Sequence, residues 1–152
     1  MSPIEPPFRI LPRVTDRNRH FWTGGEDGEL RFLRCQDDGA YVHPPVTRCP
    51  RCYGKNLKVE DVSGRATVLT FSVNHQAWMP GPELPYVVAI VEIVEEEGVR
   101  LTTNIVNCAP DDVYVGMPVR AVFEEHADGD EKVWIPLFEP LMTDGEQSDG
   151  EQ

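Results

Sequence analysis

The sequence contains no run of about 18 apolar residues, so no transmembrane helix is expected. The first residues, Met1–Phe8, are rich in proline and lack the apolar core of a signal peptide. These two absences predict a cytoplasmic protein. The 152 residues, 40% of them hydrophobic, suffice for one ordinary domain or for a small metal module followed by a compact domain.

Basic residues are scarce, and most of them lie in the first part of the chain. Residues 1–60 hold 10 Lys and Arg against 8 Asp and Glu, whereas residues 61–152 hold 4 against 18. The formal net charge is −12, and the segment Glu139–Gln152 has five acids and no base. The larger, acidic part would repel a phosphate backbone, so we expect no nucleic-acid partner.

The residue patterns that carry catalysis are missing as well. The four histidines are scattered and form no Ser-His-Asp or Cys-His set at a readable spacing. There is no glycine-rich phosphate loop, and Glu95–Glu97 is typical of a solvated hairpin turn rather than of paired catalytic carboxylates. We therefore expect no catalytic residues and no enzymatic activity from this chain by itself.

Only four cysteines are present, and three of them stand in the pattern of metal-binding turns. Cys49-Pro-Arg-Cys52, followed by Gly54, is a knuckle whose backbone N–H groups help to hold the sulfurs as thiolates. In the first knuckle Cys35 is present, but Asp38 stands where a second cysteine is expected. This pattern favours metal binding over disulfides in a reducing compartment.

A structural zinc site needs four ligands, and the knuckles supply three thiolates. Asp38 is the expected fourth ligand because carboxylates do coordinate zinc, and His43, five residues further on, is the alternative. A third alternative is that zinc is lost and only the shape of a zinc ribbon is kept. We expect zinc on Cys35, Asp38, Cys49 and Cys52, bound more weakly than by four thiolates.

The pattern along the chain predicts a mainly β fold with an N-terminal helix. The helix is expected over Val14–Thr23, with Thr15 as its cap and glycines 24, 25 and 28 at its end. Leu30–Cys35 and Tyr41–Pro45 alternate as short strands, each leading into a knuckle. Together these segments indicate a small zinc-ribbon module.

Beyond Leu57 the pattern changes to strands that suit a five-stranded barrel. The predicted strands are Ser63–His75, Tyr86–Val94, Val99–Val106, Val119–Glu125 and Lys132–Phe138. A non-hairpin connection at Cys108–Met117 favours a Greek-key barrel of the OB type. We expect the domains to be 1–29 (extended segment and helix), 30–58 (ribbon), 59–140 (barrel) and 141–152 (disordered acidic tail).

Several short segments, in this order and spacing, resemble one family. They are Phe21-Trp22, Gly28-Glu29-Leu30, Arg34-Cys35, Gly39, Pro44-Pro45, Cys49-Pro50-Arg51-Cys52, Pro110-Asp111-Asp112, Gly116-Met117-Pro118-Val119 and Pro136-Leu137-Phe138-Glu139-Pro140. From about Asp16 to Pro140 the chain is similar to the rubredoxin-like zinc-ribbon plus OB-fold family of acyl-CoA-associated proteins, formerly a domain of unknown function.

The resemblance implies a non-catalytic accessory subunit of a thiolase-like acyl-CoA enzyme. Family members accompany lipid-transfer-protein-type thiolases in aldol cleavage of sterol side-chain acyl-CoA esters, or related acyltransferases. There the small protein docks on its partner in a hetero-oligomer and helps to form the acyl-CoA site, while the partner supplies the catalytic residues. Some relatives carry a fused hot-dog hydratase domain. None fits in this chain, so hydratase activity is not expected.

Six residues are candidates for the surface that meets the partner or a coenzyme A thioester: Trp22, Trp78, Met79, Arg51, Lys55 and Lys58. Of the Phe21-Trp22 pair, we expect one ring in the core, Phe21 being favoured, and one at the interface. The Trp78-Met79 pair lies on a proline-stiffened loop. Such a loop suits a surface that recognises a partner, and the alternative is that it folds over one end of the barrel. The three basic residues near the second knuckle suit binding to the phosphate groups of coenzyme A. The alternative is that they are simply solvated.

Two other functions compete with the accessory-subunit hypothesis. OB barrels often bind single-stranded nucleic acid, and Phe71, Trp78 and Tyr86 are candidates for base stacking. That alternative needs a basic groove, which the charge opposes. A free-standing redox or hydrolytic enzyme is the other, and it lacks both a fourth thiolate and a triad.

Overall fold

Eight strands form two sheets in this computed structural model, which describes residues 9–78, 81 and 83–141. From the N-terminus the elements are α1 (Arg19–Thr23), a 3-10 turn (Gly24–Asp27), β1 (Leu30–Cys35), β2 (Tyr41–Val42), β3 (Leu57–Val62), β4 (Arg65–Asn74), β5 (Tyr86–Ile93), β6 (Arg100–Ile105), a second 3-10 turn (Pro110–Asp112), β7 (Pro118–Asp128) and β8 (Glu131–Pro140). The predicted mainly β fold is confirmed.

The first sheet has three strands in the order β2-β1-β3, and β1 is antiparallel to both neighbours. β1 has the predicted bounds, and its side chains Leu30 and Phe32 are fully buried. β3 was not predicted as a strand, because charged residues interrupt its apolar positions and it is defined by pairing with β1 over six positions. This strand straddles the boundary expected between residues 58 and 59.

The second sheet closes into a barrel in the order β4-β5-β6-β8-β7, and β4 pairs with both β5 and β7. β6 and β8 meet in parallel at Ile105 and Phe138, which completes the circle. Alternate residues point inwards, and Val68, Val91, Val119 and Phe138 are fully buried. The predicted five-stranded OB barrel is confirmed.

The helix is shorter than the predicted Val14–Thr23. A turn precedes α1, in which the Thr15 N–H donates to Asn18 Oδ1 at 2.7 Å, so Asn18 and not Thr15 stands at the start of the helix. Gly24 is the C-cap of α1, as predicted, and the chain continues from there into a 3-10 turn that ends at Gly28, whose φ is 73°. A Cβ on Gly25 would lie 2.4 Å from the Trp134 side chain, so glycine permits this turn to pack on β8.

The core is continuous between the helix, the ribbon and the barrel. Phe21 from α1 and Phe32 from β1 belong to the same buried cluster as the barrel interior. The ribbon knuckles have only a small cluster of their own, formed by Cys35, Ala40 and Cys49 with Leu57 against it. Among the described residues, no helix is long and apolar enough to cross a membrane. The acidic segment expected to be disordered lies, from residue 142 onwards, outside the described residues.

Candidate functional site

The two knuckles bring three cysteine sulfurs and one carboxylate together. Cys35 ends β1, and the following turn closes where the Gly39 N–H donates to the Cys35 carbonyl at 2.9 Å. In the second knuckle the N–H of Arg51 donates to Cys49 Sγ, and that of Gly54 donates to Cys52 Sγ, both at 3.4 Å. These amide–sulfur bonds fix the sulfur positions, as expected for a metal-binding turn.

The geometry of the cluster fits one tetrahedral zinc ion. The ligand atoms of Cys35, Asp38, Cys49 and Cys52 all lie within 4.8 Å of one another. The Cys35 and Cys52 sulfurs are 3.6 Å apart, and Cys49 Sγ is 3.3 Å from Asp38 Oδ2. Zinc–sulfur bonds of about 2.3 Å place two sulfurs of a tetrahedral site about 3.8 Å apart. The donor set and its spacing therefore suit zinc.

The surrounding hydrogen bonds set the charge of the two exposed ligands. The Ala40 N–H, with smaller contributions from the three thiols, lowers the pKa of the Asp38 carboxyl. The Gly54 N–H acts to lower the pKa of the Cys52 thiol, but hydrogen bonding with Cys35 and Cys49 and desolvation outweigh it and raise the pKa to about 11. Asp38 is thus ionised at neutral pH, whereas a cation that binds the Cys52 sulfur must displace a proton.

His43, the alternative fourth ligand, is not part of this cluster. Its ring stacks on Phe32 with 4.6 Å between ring centroids and 11° between planes, and it lies 4.6 Å from the Phe21 ring. The Nδ1 atom is buried and has no hydrogen-bond partner among the described residues. The structure therefore does not bring His43 together with the three cysteines, because aromatic packing holds the imidazole against the core.

This packing gives His43 a predictable effect on acid stability. Burial, with a smaller contribution from nearby His20, lowers the pKa of His43 from 6.5 to about 4. The unfolded chain therefore binds a proton between pH 6.5 and 4 that the folded chain does not. The stability from neutral His43 is complete above about pH 6.5, falls by about 3 kcal/mol as the pH drops from 6.5 to about 4, and stays constant below that.

We expect a His43→Phe variant, which keeps the stacked ring, to flatten this dependence. Urea unfolding of both proteins at pH values from 7 down to about 4 measures it as a difference in slope. The pH dependence that comes from the metal cluster is the same in both proteins, because both keep the four ligands, so it cancels in the difference between the two slopes. Equal slopes for the two proteins would contradict the role of His43.

A second candidate site is a cavity of about 560 Å³ beside the barrel. Its walls come from Phe21 and Trp22 of α1, the segment His43–Pro45, and residues of β5, β6 and β8. Arg9 and Arg100 also line it. Apolar walls with a few polar groups and a volume of this size are typical of small-molecule sites.

The two arginines of the cavity differ in how far their charge is compensated. Arg9 pairs with Glu124 and donates to Asn104 Oδ1 at 3.1 Å, and His126 Nε2 lies 2.7 Å from the same Glu124 oxygen. Arg100 is 3.5 Å from a Glu92 oxygen, and its side chain is 58% exposed. Arg100 is therefore the more available cation for an anionic ligand.

The other sequence candidates are spread over the surface. Phe21 is buried, and Trp22 is partly buried at an edge-to-face distance of 4.7 Å from it and lines the cavity. Trp78 is 72% exposed, with its indole N–H donating to Asn74 Oδ1 at 2.9 Å. Met79 lies outside the described residues. The three bases near the second knuckle, Arg51, Lys55 and Lys58, are exposed and do not line the 560 Å³ cavity.

Sequence reasoning missed the role of the acidic turn between β5 and β6. Glu95 accepts the Ser63 N–H at 2.6 Å, and Glu96 accepts the Tyr41 N–H at 3.1 Å. The other oxygen of Glu96 is 3.6 Å from the Arg51 guanidinium in the second knuckle. The turn therefore connects the barrel to the ribbon through these contacts, whereas the sequence predicted a solvated turn. The sequence held no signal for this, because the partners lie 32 to 55 residues away.

A zinc ribbon followed by a five-stranded OB barrel defines the class of protein. Residues 22–58 match the family model described as "ChsH2, rubredoxin-like zinc ribbon domain", and residues 59–124 match "ChsH2, C-terminal OB-fold domain". The chain belongs to this ChsH2 (DUF35) zinc-ribbon and OB-fold family, as the resemblance predicted.

Relatives with known names extend the comparison. A DUF35 domain-containing scaffold protein of Methanocaldococcus jannaschii is 43% identical over 104 residues, covering 66% of this chain and 72% of that protein. The 3-oxo-4,17-pregnadiene-20-carboxyl-CoA hydratase alpha subunit of Mycobacterium tuberculosis is 35% identical over 133 residues, which is 88% of this chain. The chain spans less than half the length of the hydratase subunits that it matches, 42% in this case.

One solved structure matches over nearly its whole length. A chain of the "Ltp2-ChsH2(DUF35) aldolase" is 33% identical, with a TM-score of 0.73, and the match covers 86% of this chain and 98% of that one. A DUF35 protein of Sulfolobus solfataricus has a TM-score of 0.57 at 16% identity, a likeness in fold alone.

Proposed function

We propose that this chain is a non-catalytic accessory subunit of a thiolase-like acyl-CoA enzyme. The observation that carries the proposal is the match over 98% of a chain in the Ltp2-ChsH2(DUF35) aldolase. The relatives named as scaffold proteins support the same role. In this proposal the chain docks on a lipid-transfer-protein-type aldolase or related acyltransferase, which supplies the catalytic residues.

The zinc ribbon serves this role as a scaffold. Cys35, Asp38, Cys49 and Cys52 hold one zinc ion, which supplies no chemical step and fixes the relative position of the two knuckles. The spacing of the ligand atoms supports this assignment.

The cavity beside the barrel is the part of the chain that helps to form the acyl-CoA site. Its apolar walls, including Trp22, suit the uncharged part of the thioester, and Arg100 suits an anionic group such as a phosphate. In this proposal the partner covers the rest of the ligand.

Co-expression tests the proposal. An Ltp2-type thiolase-like protein from the same genome is produced with and without this chain, and the mass of the purified species is measured by light scattering. We expect a stable hetero-oligomer, and acyl-CoA cleavage that needs both chains. A partner that is soluble and fully active alone, and that does not co-elute with this chain, would overturn the proposal.

We expect Arg100→Gln to weaken acyl-CoA binding by the complex. Loss of one charge-assisted hydrogen bond costs about 1.5–3 kcal/mol, so KM should rise about tenfold or more with kcat little changed. Arg120→Gln is the matched control, because its side chain is also 58% exposed and paired with a glutamate but does not line the cavity. Equal KM values for the two variants would contradict the assignment of the cavity to the acyl-CoA site.

A further inference from the structure

Tyr53 has a backbone conformation that tyrosine rarely adopts. Its φ is 62°, and among the described residues only one other non-glycine residue, Asn107 at 61°, has a positive φ. Asparagine visits this left-handed region comparatively often, whereas a bulky aromatic residue there is an outlier that costs free energy. The knuckle requires the conformation, because the next N–H must turn back to Cys52 Sγ. Glycine would meet that requirement without strain.

The Tyr53 ring contributes little to the stability of the fold. Tyr53 is 71% exposed, so its side chain contributes little packing to offset the strain. The backbone around it is nonetheless well fixed, since its N–H donates to the Cys49 carbonyl at 2.9 Å and its carbonyl accepts from Arg48 Nη1 at 3.0 Å. A strained residue held in place by its surroundings is typical of a functional position.

The surface around Tyr53 has the composition of a protein-binding site. Pro50, Arg51 and Lys55 are exposed beside it in the same knuckle. Tyrosine and arginine are the residues that most often dominate protein interfaces, and a rigid tip loses little entropy on binding. Glu96 pairs with Arg51, so this knuckle has too few uncompensated bases to neutralise a run of phosphates. A protein partner therefore fits better than a nucleic acid.

We propose that Tyr53 is a docking residue, whose ring enters an apolar pocket of the partner subunit. The rim of that pocket carries carboxylate groups that meet two exposed bases of the same knuckle, Lys55 and Arg48, of which Arg48 donates to the Tyr53 carbonyl. The inference rests on the proposed function, since the partner is the thiolase-like enzyme. It assigns the exposed tip of the second knuckle to the interface and so gives the zinc-ribbon module a direct part in docking.

A matched pair of variants tests this assignment with the Ltp2-type thiolase-like protein as the probe. Tyr53→Asn removes the ring and keeps a residue that tolerates the left-handed conformation, while Tyr114→Asn makes the same change at another exposed tyrosine. We expect Tyr53→Asn to raise the Kd about 30-fold or more, as for other interface hot spots, and Tyr114→Asn to change it less than about twofold. The melting temperature and zinc content of Tyr53→Asn should equal or exceed those of the wild type.

Each other outcome overturns the assignment in a recognisable way. Wild-type affinity in Tyr53→Asn, or equal weakening in both variants, would reject Tyr53 as the docking residue and leave the proposed function standing. Absence of any complex with the wild-type chain would overturn both proposals together. If a single-stranded oligonucleotide bound at low salt and the binding depended on Tyr53, the docking partner would be a nucleic acid and the proposal of a protein partner would be rejected.

Discussion

Replacing Cys49 with serine is expected to weaken zinc binding strongly and to unfold the knuckles. Cys49 is a fully buried member of the four-ligand cluster, and its sulfur accepts the Arg51 N–H. The hydrophobic cluster of the knuckles, Cys35, Ala40 and Cys49, is too small to hold them without metal. Structural zinc contributes about 10–16 kcal/mol in zinc-finger peptides, so losing one ligand has a large effect.

We expect the zinc affinity of Cys49→Ser to fall at least about 100-fold, more than loss of a hydrogen-bond partner of a ligand usually costs. Elemental analysis and competition with a chelating dye measure the affinity, and amide NMR signals of residues 36–56 report unfolding. Cys108→Ser is the matched control, since this half-buried cysteine lies outside the cluster. Full zinc content in Cys49→Ser would contradict the site.

Substitutions of Asp38 decide whether the carboxylate is the fourth ligand. Asp38→Cys should tighten zinc binding, because a fourth thiolate suits zinc better, and Asp38→Asn should weaken it. The amide keeps an oxygen that accepts the Ala40 N–H, so the turn itself is preserved. Unchanged affinity in Asp38→Asn would show that zinc is held by the three cysteines with water.

Replacing Phe32 with alanine is expected to lower the free energy of unfolding by about 3–5 kcal/mol. Phe32 is 0% exposed, stacks on His43, and has its ring centroid 6.1 Å from that of Phe21. It therefore lies where β1, the segment after β2 and α1 meet. A cavity at this point removes packing contacts from all three segments.

Thermal unfolding measures the effect, and for a chain of this length we expect the midpoint to fall by about 10 °C or more. Phe32→Leu is the matched control, since it keeps most of the buried volume and should cost less than about 1.5 kcal/mol. A loss below about 1 kcal/mol in Phe32→Ala would mean that the aromatic cluster does not join the helix to the ribbon.

The sequence alone determined the features that depend on neighbouring residues. The Cys49-Pro-Arg-Cys52 turn is closed by amide–sulfur bonds within a few residues, so its pattern predicts its geometry. Apolar residues either alternate with polar ones or form a continuous run along the whole length of β1 and β5, and the bounds of these strands follow from that pattern. Order and spacing of such local motifs were enough to predict the ribbon, the barrel and the family.

Tertiary structure decided what depends on distant partners. β3 is a strand because it pairs with β1, and His43 packs against the core because its ring stacks on Phe32 and lies beside Phe21. The acidic turn joins two modules through Glu96, whose partners cannot be read from its own surroundings in the chain. Side-chain packing and pairing across tens of residues are set by the folded shape. They leave no periodic signal in the sequence, and they decide where the cavity lies and what each histidine and glutamate does.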